Sequence, residues 1–121
     1  MIKTSLIIPA AGKSTRYPNV KPKWMLTHPL GNMMVVESIS GLNLENVENI
    51  YFTVLKEHIF KYKINEKDIF KAFGQIGINR DRLKILMLDN PTKNQPQTIA
   101  ETIEHFAIEG PIYIKDSDNF L

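Results

Sequence analysis

The chain has no cysteine, which excludes a disulfide scaffold, a thiolate metal centre and a cysteine nucleophile. It has no apolar stretch near the roughly 20 residues that cross a bilayer. Pro9 and Lys13 interrupt the N-terminal apolar run before a signal-peptide core of roughly 7–15 residues forms, so a cytoplasmic chain with no membrane partner is expected. Charge of one sign is also missing: the formal net charge is +2 over 121 residues, which gives no basis for a nucleic-acid surface. The three histidines, His28, His58 and His105, are scattered and suggest no ligand set. Internal repeats and low-complexity tracts are absent. What remains is a small globular chain with room for one domain, 43% apolar and 23% charged.

Against that ordinary background one stretch stands out, Pro9 to Lys23, P-A-A-G-K-S-T-R-Y-P-N-V-K-P-K. The apolar run Leu6-Ile7-Ile8 leads into it and reads as a short buried strand bounded by a turn former. Small residues at Ala10, Ala11 and Gly12 let the backbone come close to a ligand. Four cations follow, Lys13, Arg16, Lys21 and Lys23, and three prolines, Pro9, Pro18 and Pro22, punctuate the stretch. A strand opening into a basic, glycine-containing loop suits a polyphosphate, because exposed N–H groups and cations neutralise it together.

Further along, strand and helix signals alternate. Trp24-Met25-Leu26 is a second apolar patch and reads as core, and Thr27 to Gly31 is a turn. Asn32 can cap a helix from Met33 to about Ser40 that buries Val35, Val36 and Ile39. Ile50 to Leu55 is the clearest strand, and Lys56 to Lys63 reads as a helical turn or two. Asn65 caps a helix to about Gln75, with Asp68 supporting its start and Gly74 and Gly77 marking its end. Leu83 to Leu88 is a third strand. Pro96 opens a helix with Ile99, Ile103 and Phe106 on one face, and Pro111 to Ile114 is a fourth strand running into Lys115-Asp116-Ser117-Asp118-Asn119.

This alternation predicts an α/β layer fold with a mostly parallel sheet. In such sheets ligands sit beyond the carboxyl ends of the strands. The basic loop leaves that end of the first strand and the Asp116/Asp118 pair that end of the fourth, so both chemistries meet on one rim. Cations and a carboxylate pair together suit a Mg²⁺–nucleotide complex. Arg16 can take phosphate oxygens through two parallel hydrogen bonds, Lys13 and Lys23 act as mobile point charges, and aspartates supply the hard oxygens Mg²⁺ prefers. Phosphoryl and nucleotidyl transfers need positioning and charge neutralisation more than a covalent nucleophile.

The stretch Ala10 to Arg16, A-A-G-K-S-T-R, resembles the G-x-G-T-R signature of the sugar-phosphate nucleotidyltransferases, with Ser14 where that pattern has its second glycine. Pro22-Lys23 resembles the family's second catalytic-loop lysine, Gly31-Asn32-Met33 its next segment, and Ser117-Asp118-Asn119-Phe120 its metal-binding aspartate at a strand end. The resemblance implies a Rossmann-like three-layer α/β/α fold of the nucleotide-diphospho-sugar transferase type. Residues 1–121 would then form the nucleotide-binding N-terminal portion of a larger domain, whose later half supplies the acceptor pocket. It implies a reaction in which a phosphorylated acceptor, a sugar phosphate or similar compound, takes a nucleoside monophosphate from a nucleoside triphosphate and pyrophosphate leaves. Carried over, Arg16 and Lys23 are catalytic, and Ala10, Ala11, Gly12, Lys13 and Ser14 hold the nucleotide. Gln97 and Thr98 are candidates for reading the base, and Asp118 with Asp116 would hold Mg²⁺. Many such enzymes serve bacterial surface glycans, capsule or lipopolysaccharide among them, and a homo-oligomer is compatible with this reading.

Other readings compete. Gly12-Lys13-Ser14-Thr15 ends like a P-loop, but Ile7 stands where that motif needs its first glycine, and Pro18 and Pro22 prevent the helix it requires. A solvated basic turn and two turn-forming aspartates are the plainer alternatives. Asp116-Ser117-Asp118 also resembles the D-x-D of glycosyltransferases that use a nucleotide sugar, and a nucleotide-binding module without activity is a third reading.

Overall fold

A computed structural model describes residues 4–11, 35, 36, 39, 44 and 47–115. Strand β1 spans Thr4–Ala10, and the nine-residue β2, Val47–Leu55, is its parallel neighbour. Helices α1 (Lys56–Lys61) and α2 (Glu66–Gly74) and a single 3-10 turn at Arg80–Arg82 lead to β3, Leu83–Leu88. Helix α3 (Gln95–Phe106) returns the chain to β4, Ile112–Ile114, on the far side of β1. The sheet order is β3-β2-β1-β4, and every pairing among the described strands is parallel. The expected α/β fold is therefore present, with the sheet wound outward in one direction and then reversed across β1.

The two central strands are buried on both faces, as near-continuous apolar runs require. On one face Leu6, Ile8, Ile50, Phe52 and Val54 join Ile59, Ile69 and Phe73, and the Phe52 and Phe73 rings lie 5.9 Å apart. The helical residues Val35, Val36 and Ile39 are fully buried in the same core, in line with the apolar face expected there. On the other face Tyr51 meets Phe106 at 4.9 Å, and Thr53 and Thr102 share a hydrogen bond. Helices thus cover both sides, giving three layers.

Local sequence sets most element ends. Asn65 Oδ1 accepts from the Asp68 amide at 3.0 Å, and Asp68 Oδ2 accepts from the Asn65 amide at 3.3 Å, which satisfies the first turn of α2 reciprocally. Gly77, with φ +87°, supplies the left-handed backbone that the turn after α2 needs. At the amino edge of the sheet the Arg82 guanidinium donates to the carbonyls of Val47 (2.8 Å) and Leu44 (3.0 Å) and ties β2 to the turn before β3.

Two expectations need correction. The strand was expected to stop at Pro9 but runs through it to Ala10. The apolar period of α3 pointed to Ile99, Ile103 and Phe106 as its inward face, yet its fully buried residues are Thr98 and Thr102, with those three only half-buried. Their hydroxyls find partners within the interface, so small polar side chains bring the helix onto the sheet without an unpaired donor.

Candidate functional site

The carboxyl edge of the sheet is where the sequence leads one to look for a site. Ala10 pairs with Val54 and Leu55 with Leu88, so β1, β2 and β3 end nearly level. β4 stops earlier, opposite Ile7. Ser5 donates to Pro111 and Ile7 accepts from Lys115, both at 3.1 Å, so the odd-numbered residues of β1 turn their peptide groups toward β4. Pro9 is the next odd residue and has no N–H to offer. The β1–β4 ladder ends there, while β1 continues to Ala10. This end of the ladder falls between two adjacent parallel strands at the point where the strand order reverses, the place where open α/β sheets bind ligands.

Ala11 is fully buried at the floor of this edge. Its carbonyl accepts from the Thr92 amide at 3.0 Å and from the Thr92 hydroxyl at 3.3 Å. Thr92 lies in the segment between β3 and α3 and is 2% exposed. The start of α3 is built beside it: Asn94 Oδ1 accepts from the Gln97 amide at 2.9 Å, and Gln97 Oε1 accepts from the Lys93 amide at 2.6 Å. Gln97 thus has its carboxamide oxygen engaged in shaping the helix start. Thr98 is 1% exposed, and its hydroxyl contacts Thr92 at 2.5 Å and the Asn94 carbonyl at 3.3 Å, so its side chain faces the sheet interface. Thr92, Lys93 and Asn94 were not singled out in the sequence. The Asn94 cap followed by Pro96 was the available signal.

Of the residues expected at the site, Ala10, Ala11, Gln97 and Thr98 are brought to one end of the sheet, with Ala11 and Thr98 joined through Thr92. Gly12, Lys13, Ser14, Arg16, Lys23, Asp116 and Asp118 lie outside the described residues, as do the Trp24-Met25-Leu26 patch and the turn from Thr27 to Gly31. What the structure gives for them is their points of departure: the chain leaves β1 at Ala11 and β4 at Lys115, on neighbouring strands.

Lys56, first after β2, and Asp89, first after β3, approach to 3.9 Å on the same edge. Both are exposed, so the pair adds little stability. Nearby in α1, the His58 Nδ1 atom is buried with no hydrogen-bond partner, and burial pushes the His58 pKa below its ordinary 6.5, Glu57 opposing and Lys61 adding to the effect. A histidine held neutral by the fold takes up its proton more readily when unfolded. Stability on this account is full above pH 6.5 and declines as pH falls below it. A lower urea midpoint at pH 5.5 than at pH 7.5, with the difference reduced in His58→Gln, is the expected result.

Elsewhere, a shallow cleft of about 300 Å³ between β3 and α3 is lined by Leu86, Leu88, Glu101, Glu104 and His105. Its two carboxylates repel phosphate, and it is not a candidate for the anion. Among the described residues no group of three or more His, Cys, Asp or Glu side chains could hold a metal ion. No helix among them is long and apolar enough to cross a membrane.

No protein-family model matches the chain, and no curated protein matches its sequence. Its structure is similar to the crystal structure of the nucleoside-diphosphate-sugar pyrophosphorylase from Vibrio cholerae RC9, with a TM-score of 0.65 and 24% sequence identity. The match covers 93% of this chain and 47% of that one, so this chain spans about half the length of that protein. The chain thus shares its α/β fold with that protein, in line with the α/β layer fold expected from the sequence.

Proposed function

We propose that the chain is the nucleotide-binding portion of a nucleotidyltransferase that moves a nucleoside monophosphate from a nucleoside triphosphate to a phosphorylated small molecule. The observation that carries this reading is the juxtaposition of β1 and β4 at the strand-order reversal. There the basic loop after Ala11 and the aspartates after Lys115 begin from adjacent strand ends. The fold similarity to a pyrophosphorylase supports the same reading.

In this mechanism an oxygen of the acceptor phosphate attacks the α-phosphorus of the triphosphate. The bond from that phosphorus to the α–β bridging oxygen breaks, and pyrophosphate leaves with the electron pair. Arg16 neutralises the departing pyrophosphate, and Lys23 bridges the α-phosphate and the acceptor, two anions that otherwise repel. Ala10, Ala11, Gly12, Lys13 and Ser14 offer close backbone approach and charge to the phosphates. Of the two candidates for reading the base, Gln97 stands half-buried at the helix start, while the Thr98 side chain is turned into the sheet interface and supports that start from within. Asp118 and Asp116 offer the hard carboxylate oxygens that fit Mg²⁺, which when bound offsets phosphate charge. Production of nucleotide-activated precursors for bacterial surface glycans, in the cytoplasm, is the role this chemistry suits.

Titration of the chain with the Mg²⁺ complexes of ATP, CTP, GTP and UTP tests the reading. One triphosphate binds and pyrophosphate competes with it. Preference for a nucleoside-diphosphate sugar over every triphosphate would instead select the glycosyltransferase reading, and binding of neither class ends both.

A further inference from the structure

The polar side chains buried between α3 and the sheet form a continuous hydrogen-bonded path. Thr53 contacts Thr102 and Thr102 donates to the Thr98 carbonyl at 2.7 Å; Thr98 contacts Thr92, and Thr92 donates to the Ala11 carbonyl. All four threonines are at most 2% exposed. One assignment of protons serves the whole path, each hydroxyl donating once: Thr53 to Thr102, Thr102 to the Thr98 carbonyl, Thr98 to Thr92 rather than to the Asn94 carbonyl 3.3 Å away, and Thr92 to Ala11. The path ends on one backbone oxygen, and that oxygen receives a second donor, the Thr92 amide. An interior needing only packing would fill these positions with apolar side chains, since buried hydroxyls gain little net stability even when fully paired.

We infer that Thr92 is a positioning residue for the phosphate loop: its two donors fix the Ala11 carbonyl and so set the direction in which the chain leaves β1. A trans peptide is planar, with its carbonyl and the following amide donor facing opposite ways. Holding the Ala11 oxygen against Thr92 therefore fixes the plane of the peptide at the Ala11 carbonyl, the point from which the chain goes on to the proposed phosphate loop. Thr98 acts through Thr92: by donating to the Thr92 oxygen it leaves the Thr92 proton for the Ala11 carbonyl. This rests on the nucleotide-binding reading above and assigns Thr92, 81 residues away in sequence, to the same site.

The test compares Thr92→Val, which keeps the shape and the amide but removes the hydroxyl, with Thr92→Ser, which restores it. Amide hydrogen exchange of the ligand-free chain is read at residues 11–14 and, as a reference, at residues 50–54. The dissociation constant of the Mg²⁺–triphosphate that binds the wild type is read alongside. Thr92→Val is expected to speed exchange at residues 11–14 and to weaken the triphosphate by about 5-fold, the scale of one net hydrogen bond, with residues 50–54 unchanged. Thr92→Ser returns both to within about twofold, because its hydroxyl can make the same bond. Should Thr92→Val not fold, Thr98→Val removes the hydroxyl behind it and shifts both readouts in the same direction. A fall in melting temperature with both readouts at wild-type values would overturn the inference, leaving Thr92 a packing residue. If exchange responds as expected but the wild type binds no triphosphate, the clamp stands and the nucleotidyltransferase reading fails.

Discussion

In the full-length enzyme that the proposed function implies, Arg16→Ala or Lys23→Ala is expected to lower pyrophosphate release by at least about 10²-fold, the scale of removing one preorganised donor from a transition state. The reason is electrostatic. Nucleotidyl transfer brings an anionic acceptor against an anionic α-phosphate and sends away a pyrophosphate more highly charged than the group it leaves. Little covalent chemistry remains for a protein to do beyond meeting that charge in the right places. In the proposed mechanism Arg16 meets it with a planar fork that pairs with two oxygens at once, so Arg16→Lys should recover only part of the loss. Lys23 meets it as a compact charge. The measurement is steady-state pyrophosphate release with the triphosphate that binds and a phosphorylated acceptor. A turnover number near wild type in both alanine variants would remove these residues from the chemistry.

The largest effect on stability is expected at Phe73. It is fully buried, carried by the inward face of α2, and stacked at a tilt on Phe52 of the central strand β2. Phe73→Ala removes the ring and leaves a cavity where α2 meets the sheet, a change that costs about 3–5 kcal/mol. Domains of this kind have only about 5–15 kcal/mol in total, so the variant should be largely unfolded in mild urea. Phe60, 69% exposed on α1, provides the contrast: Phe60→Ala should shift the urea midpoint by no more than about 0.5 kcal/mol of equivalent stability. Similar losses in the two variants would mean that α2 does not seal the core in solution.

Much of this architecture was legible from local chemistry. Asn65 and Asp68 stand three apart and announce their reciprocal cap, because the two groups that cap a helix start belong to one short segment. The strands Ile50 to Leu55 and Leu83 to Leu88 declare themselves through β-branched and apolar runs, and their alternation with helices implies parallel pairing. The face of α3 was misjudged because a periodicity that ranks residues by hydrophobicity passes over threonine, whose hydroxyl is acceptable inside once another hydroxyl answers it. The clamp of Thr92 on Ala11 could not be read at all, since nothing local to either residue marks a contact spanning 81 positions. For the proposed phosphate-binding side chains the sequence remains the source of the assignment, and the structure contributes the two strand ends from which they depart.

Pro9 carries one more implication. The end of the β1–β4 ladder is written into the covalent chain, as a nitrogen that cannot serve as a rung, and owes nothing to how tightly the layers on either side are filled. Substitutions throughout the interior can loosen or tighten the molecule while the pairing of these two strands still stops at the same residue, so the fold can drift in composition without moving that boundary.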